Sequence, residues 1–382
     1  MLFFSEKHKR FRLEVEEFAR KELAPGAKER AKLDHISKEV IRKLAEAGLL
    51  GLTTPSEYGG RPSDSVSLGI MFEEVCKVDF SPMLLLLSHV MIPLMMEWAS
   101  VGLREEWLPS LARGDKLVCF GNTEPDCGSD ATAIKTRAVY DRDHYILSGE
   151  KTSVSVGMQA DAMALTAVTE ENVGSRGITC FLVPLDLPGV SRSRFADMGC
   201  LPAGRASIFL SEVRVPTKYR IGGEGEGFAK VMNGFDITRA LVVLATLGLA
   251  EASMCEAVEH VKRRTLFGEP IGHFEGVSFR LAECMTWIEA SKLLSYQALK
   301  FRDEGMPHTK ETAMAKWFAA ESAANVIHEI LLIFGSEGYS EENAVEQRLR
   351  DAIGLQIGDG TAEIMKLIIA REIMGRRFVP IM

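Results

Sequence analysis

The stretch Gln356–Gly375, QIGDGTAEIMKLIIAREIMG, places one carboxylate, Asp359, between two glycines immediately before a helix-forming run. Glycine reaches backbone angles closed to other residues, so Gly358 and Gly360 predict a sharp turn. Thr361 is positioned to cap the helix that follows, and Ile364, Leu367, Ile368 and Met374 give that helix an apolar face. A carboxylate beside free backbone N–H groups suits proton abstraction next to a carbonyl. The carboxylate takes the proton, and the amides stabilise the enolate oxygen. The same residue types also fit a carboxylate that merely complements a helix dipole, and this segment alone leaves both readings open.

The 382 residues are enough to bury a large core, more naturally as two or three packed units than as one. With 46% apolar and 26% charged residues, the composition is that of a soluble enzyme. A net charge of −8 and the lack of a basic run argue against nucleic acid as the main partner. The seven cysteines are scattered, odd in number and never C-x-x-C, which predicts reduced thiols, a cytoplasmic location and no zinc site. The start, MLFFSEKHKRF, becomes charged too quickly for a secretory signal. The apolar run Pro82–Leu87 with Val90–Met96 is interrupted by Ser88, His89 and Pro93, so it predicts a buried helix and no membrane insertion.

The chain divides by texture into an α–β–α order. Residues 1–115 are helical in pattern (Arg12–Leu23, Ser37–Ala47, Leu68–Lys77). Residues 116–222 carry short β-prone runs, Thr136–Tyr140, Tyr145–Leu147, Met163–Val168, Ile178–Val183 and Ile208–Val215, which predict a small antiparallel sheet or barrel. Residues 223–382 return to long helical patterns, among them Val277–Arg302 and Thr312–Phe334. The glycines between 222 and 227 do not match G-x-G-x-x-G, alternate with Glu224 and Glu226, and predict a solvated linker.

Further segments carry polar chemistry. Thr123-Glu124-Pro125-Asp126-Cys127-Gly128-Ser129-Asp130 is a turn rich in hydroxyls and amides, able to bond a flavin edge or a phosphate, or simply to reverse the chain. Lys151-Thr152-Ser153-Val154-Ser155 ends a strand, and Phe235-Asp236-Ile237-Thr238-Arg239 lies on a helix. Arg239 suits a phosphate-rich ligand because its fork is permanently charged, although a surface arginine fits equally. Arg264-Thr265-Leu266-Phe267-Gly268 predicts a helix end capped by Gly268.

These segments, with the Gly358–Thr361 turn and in this order from Phe11 to about Phe378, resemble the acyl-CoA dehydrogenases, flavoenzymes that oxidise acyl-CoA thioesters to enoyl-CoA. The resemblance implies an α+β fold with an N-terminal helical domain, a middle β domain and a C-terminal four-helix bundle. It implies that Asp359 stands where the family's Y-E-G-T turn carries a glutamate base, shortened by one methylene and without the aromatic neighbour. Thr238 stands where a minority branch carries its base, and threonine cannot serve as one.

For FAD, the resemblance implies contacts from Phe120, Asn122, Thr123, Ser153, Ser155, Thr361 and Glu363, with Ser153 replacing a bulky aromatic. It further implies that Arg264 and Phe267, with Leu332, Gly335 and Ser336 in place of a glutamine and a glycine pair, meet the FAD of a neighbouring subunit. Ser129, Asp236, Arg239 and Gly360 would contact the acyl-CoA. A homotetramer or dimer and electron-transfer flavoprotein as acceptor are implied likewise. The run Gly204–Val215 with the GDGT turn is similar to cyclohexanecarboxyl-CoA dehydrogenases, and the small Ser153 and Gly358 fit a cyclic or branched acyl group. Alternatives are an oxidase of nitroalkane-oxidase type, an enoyl-CoA reductase, and a non-catalytic acyl- or flavin-binding protein.

Overall fold

The computed structural model describes residues 4–379, so Met1–Phe3 of the N-terminal run lie outside the described residues. Helices α1 (Glu6–Phe18), α2 (Ala27–Arg30), α3 (Lys38–Glu46), α4 (Ser65–Val78), α5 (Met83–Met96) and α6 (Val101–Ala112) come first. Strands β1 (Val118–Gly121), β2 (Arg137–Asp141), β3 (His144–Val154), β4 (Ala162–Val168), β5 (Ile178–Pro184), β6 (Val190–Arg194), β7 (Ala206–Pro216) and β8 (Arg220–Ile221) follow. The chain then runs through α7 (Gly227–Arg263), the hairpin β9 (Thr265–Leu266) and β10 (Glu269–Pro270), and α8 (Glu275–Asp303), α9 (Thr309–Phe334), α10 (Ala344–Ile357) and α11 (Ala362–Met374).

Local chemistry sets several of these boundaries. Ser5 and His8 form a reciprocal capping box at α1, and Asp64 accepts the Ser67 N–H at 2.9 Å to start α4. Helix α4 is buried on almost every side, as expected of a helix apolar all round. It packs on α7 backbone to backbone, because a Cβ at Gly248 would lie 2.6 Å from the Glu73 carbonyl oxygen. Helices α7 and α9 are long and apolar enough to cross a bilayer by length and composition. Their apolar side chains are spent on the α4–α7–α8–α9 bundle.

The sheet is mixed rather than antiparallel. Its order is β6-β7-β3-β2-β4-β5-β8, with β1 pairing β4 in parallel and β2 meeting β4 in parallel at Arg137 and Val168. Strand β1, absent from the expected set, is a short buried run whose apolar residues carry no alternation to mark it. The 222–227 segment is no free linker: the Gly225 N–H donates to Thr179 Oγ1 at 3.0 Å, and a Cβ at Gly227 would meet Cys180 N at 2.7 Å.

Helix α5 buries His89, whose Nδ1 lies 3.0 Å from the Leu85 carbonyl and whose Nε2 has no partner. Burial pushes this imidazole down to about 4. In the unfolded chain it takes its proton near 6.5, so the unfolded state binds more protons between these values, and stability present above pH 6.5 is lost as pH falls through about 4. We expect about 3 kcal/mol from this residue. Urea titrations of wild type and His89→Phe between pH 7 and 4 should show a flatter profile in the variant.

Candidate active site

The turn between α10 and α11 holds Asp359. Gly358 is extended at φ −60°, Asp359 itself takes the left-handed φ of 57°, and Gly360 lies at φ 107°. The sharp bend thus falls on Asp359 and Gly360 rather than on the two glycines. Aspartate tolerates this region better than most side chains, at a cost of about 1–2 kcal/mol. Thr361 occupies the cap position of α11 by its backbone, with no capping bond from its hydroxyl. Of the α11 face, Met365 is the fully buried residue, Ile364, Leu367 and Ile368 are half-buried, and Met374 is exposed.

Two buried cations hold this turn. Arg239 Nε donates to the Asp359 carbonyl at 3.0 Å, and Lys316 Nζ donates to the carbonyls of Leu355 at 2.8 Å and Gly360 at 3.2 Å. The N–H groups of Asp359, Gly360 and Thr361 make no hydrogen bond among the described residues. Asp359 Oδ2 is buried without a partner. Burial lowers the Lys316 ammonium to about 8, against the opposing pull of Asp359.

Arg239 was expected at the CoA phosphates. It is 8% exposed, and besides the turn it meets Asp236 Oδ1 at 3.3 Å, so its Nε and Nη1 are engaged inside the protein. Asp236 in turn accepts from Thr309 Oγ1 at 2.8 Å. One helical turn earlier on α7, Phe235 packs edge-on against Phe120 of β1 at 5.9 Å between ring centres. A continuous line of contact therefore runs from the sheet edge to the Asp359 turn.

At that edge the Thr152 N–H donates to the Thr123 carbonyl at 2.9 Å, which sets Thr123 beside Ser153 and Ser155. Ser153 sits exposed in a register shift of β3 with φ 56°. Asn122 points the other way: it is 7% exposed, its Oδ1 accepts from Thr166 at 2.7 Å, and its carbonyl accepts from Lys151 Nζ at 3.1 Å. Beneath, buried Lys151 and Glu124 pair at 2.7 Å. Ser129 is exposed two residues past the turn that Glu124 and Cys127 close by exchanging backbone bonds, and Glu363 is exposed in the first turn of α11.

The second group lies elsewhere. Helix α7 ends at Arg263, with Arg264 extended, so Gly268 caps nothing. Phe267 and Gly268 instead form the two-residue hairpin turn, at φ 54° and 85°, the twist that normally takes Asn-Gly. Phe267 is 96% exposed in that unfavourable position. Phe334 packs on His260 at 4.5 Å, bringing exposed Leu332, Gly335 and Ser336 to the same end of α7 as Arg264. Arg239 on α7 and Arg264 just past its end are 25 residues apart, about 37 Å along a helix axis.

Lys316 and the Lys151–Glu124 pair escaped the sequence reading. For Lys316 a signal exists, since it falls on the stripe Ala313, Ala319, Ala320, Ala323 and Ile327 that α9 buries. A lysine in register with an alanine seam marks an ammonium held inside the fold.

Comparison with known proteins now decides the family. Models of the acyl-CoA dehydrogenase N-terminal, middle and C-terminal domains match residues 5–115, 119–213 and 225–374. The chain belongs to the acyl-CoA dehydrogenase family. It is 33% identical over 364 residues to an acyl-CoA dehydrogenase of Bacillus subtilis, covering 94% of this chain and 96% of that one. It is 34% identical over 377 residues to the 3-(aryl)acrylate reductase of Clostridium sporogenes, covering 98% and 100%. The butyryl-CoA dehydrogenase structure from Megasphaera elsdenii superposes with a TM-score of 0.92 at 33% identity, covering 97% and 99%.

Members are FAD-dependent oxidoreductases acting on acyl-CoA, and the expected fold, enzyme class and cofactor stand on that basis. The donor set fits the cofactor: Phe120 offers an aromatic face, and the hydroxyls of Thr123, Ser153 and Ser155 have no partner among the described residues. Such groups can meet the alternating acceptors of a flavin edge.

Proposed function

We propose that this enzyme dehydrogenates an acyl-CoA thioester between its α and β carbons, with Asp359 as the base that removes the α-proton. The observation that carries this reading is the buried, unpartnered Asp359 Oδ2, in a turn whose carbonyls are bound from behind by Arg239 and Lys316. A carboxylate oxygen without a donor is free to receive the α-proton. The free amides beside it suit the enolate oxygen that forms as the proton leaves. FAD, when bound, supplies the acceptor for the β-hydrogen as hydride. Phe120 and Phe235, packed edge-on, would form an apolar wall beside the reacting carbons.

The acyl group is read as cyclic or branched, such as cyclohexanecarboxyl. Ser153 is small and exposed, and a Cβ built on Gly358 would have no neighbour nearer than 3.9 Å. Anaerobic titration of the FAD-loaded enzyme with cyclic, branched and linear acyl-CoAs should bleach the yellow band. Bleaching by none of them ends the dehydrogenase reading, and preference for a straight medium chain ends the wide-pocket reading. Likeness to the arylacrylate reductase supports a second reading, the same chemistry running toward the saturated thioester. Reoxidation of the reduced enzyme by an enoyl-CoA tests that direction. Electron-transfer flavoprotein is the proposed acceptor.

A homotetramer or dimer completes the cofactor site, since the Phe267 hairpin and the 332–336 corner serve a neighbour's FAD. Phe267→Asn replaces a strained residue by one suited to its turn. The apoprotein should gain up to about 1 kcal/mol while retaining less FAD after gel filtration. Unchanged FAD content would remove the ring from the cofactor site.

A further inference from the structure

Asp359 carries a positive φ that its neighbours must enforce, because a non-glycine residue persists there only when the surroundings over-determine it. The peptide planes on its C-terminal side are each held by one cation. The Asp359 carbonyl meets Arg239 Nε at 3.0 Å, and the Gly360 carbonyl meets Lys316 Nζ at 3.2 Å. Lys316 also reaches the Leu355 carbonyl at 2.8 Å, so one ammonium ties the last turn of α10 to the far side of the bend. In a trans peptide the C=O and the following N–H point in opposite directions. With both carbonyls drawn toward α7 and α9, the Gly360 and Thr361 amides face away from those helices.

Lys316 is 1% exposed and forms no ion pair among the described residues, although methionine at this place would avoid the cost of burying an ammonium. A buried ammonium spent wholly on two carbonyls, of which one follows the base, is costly as a stabilising device. As a device for fixing backbone geometry it is effective.

We propose that Lys316 and Arg239 act together as positioning residues that lock the Asp359–Gly360 backbone, keeping the carboxylate unpartnered and the adjoining amides turned toward the ligand. The assignment rests on Asp359 being the base, and it takes Arg239 from the CoA phosphates to the catalytic turn. It also gives the shortened base a fixed origin: aspartate has one torsion fewer than glutamate, so its reach depends more directly on the backbone that bears it.

The test compares Lys316→Met, which keeps the shape and removes the donors, with Lys316→Arg, which keeps donors, each loaded with FAD and checked for bound flavin. Lys316→Met should lower kcat about 30- to 100-fold with KM changed less than about threefold, and Lys316→Arg should recover at least a third of that loss on a logarithmic scale. Hydrogen exchange on the apoprotein supplies the second readout. The Gly358 and Met365 amides, bonded to Gly354 and Thr361, should exchange at least tenfold faster in Lys316→Met, with α4 and α7 unchanged. An unaltered kcat overturns the proposal. So does faster exchange spread over the whole chain, which would make Lys316 a general stabiliser. If Lys316→Met does not fold, Arg239→Lys, which shortens the other arm, is read by the same two measurements and the same criteria. Should Asp359 prove dispensable while the turn alone loosens in Lys316→Met, the clamp stands as geometry and the base assignment is what fails.

Discussion

Asp359→Asn should lower acyl-CoA turnover by about 10²- to 10⁴-fold, the usual contribution of a positioned base, with little change in thermal stability. Asparagine is chosen because it tolerates φ 57° and leaves the carbonyl that Arg239 holds. Asp359→Ala should lose the same activity and also about 1 kcal/mol of stability, since alanine lacks the local hydrogen bonding that eases a left-handed conformation. The pair separates chemistry from strain. Equal turnover in wild type and Asp359→Asn would take the carboxylate out of the reaction.

The largest stability effect is expected beneath the flavin edge. Burial pushes the Glu124 carboxyl up, but Lys151 at 2.7 Å and the amides of Thr136 and Lys135 outweigh it and hold the group below its ordinary range. Lys151→Met would leave that carboxylate buried without its counter-charge, at a cost of about 3–5 kcal/mol. Adding Glu124→Gln should return part of the loss by removing the uncompensated charge, although one amide contact weakens. Guanidinium unfolding of the single and double variants measures both steps. A Lys151→Met chain as stable as wild type would show that the pair contributes no net stability.

Much of the architecture could be read in the residues. Helical periodicity and β-prone runs are local properties, so the order of helices, sheet and bundle followed from them, and the Gly358–Thr361 turn announced itself by composition. The parallel entry of β1 beside β4 did not, because pairing direction depends on where a distant strand arrives. The linker reading of 222–227 failed for a related reason: Gly227 is a glycine to let α7 begin against the β5 backbone, a contact between residues almost fifty apart.

The sequence by itself determined that one acid stands in a bend before a helix, that hydroxyls cluster near a strand end, and that a long helix ends near Arg264. Those are statements about neighbours along the chain, where bond geometry and side-chain chemistry suffice. Only the tertiary structure decided which way each group faces. It turned Asn122 into the sheet, drew Arg239 onto the Asp359 carbonyl, buried Lys316 against the same bend, and brought the 332–336 corner to the Arg264 end of α7. Orientation is settled by long-range packing and by the need to satisfy every buried polar group, and apart from the alanine stripe that carries Lys316 neither leaves a local trace in the order of residues.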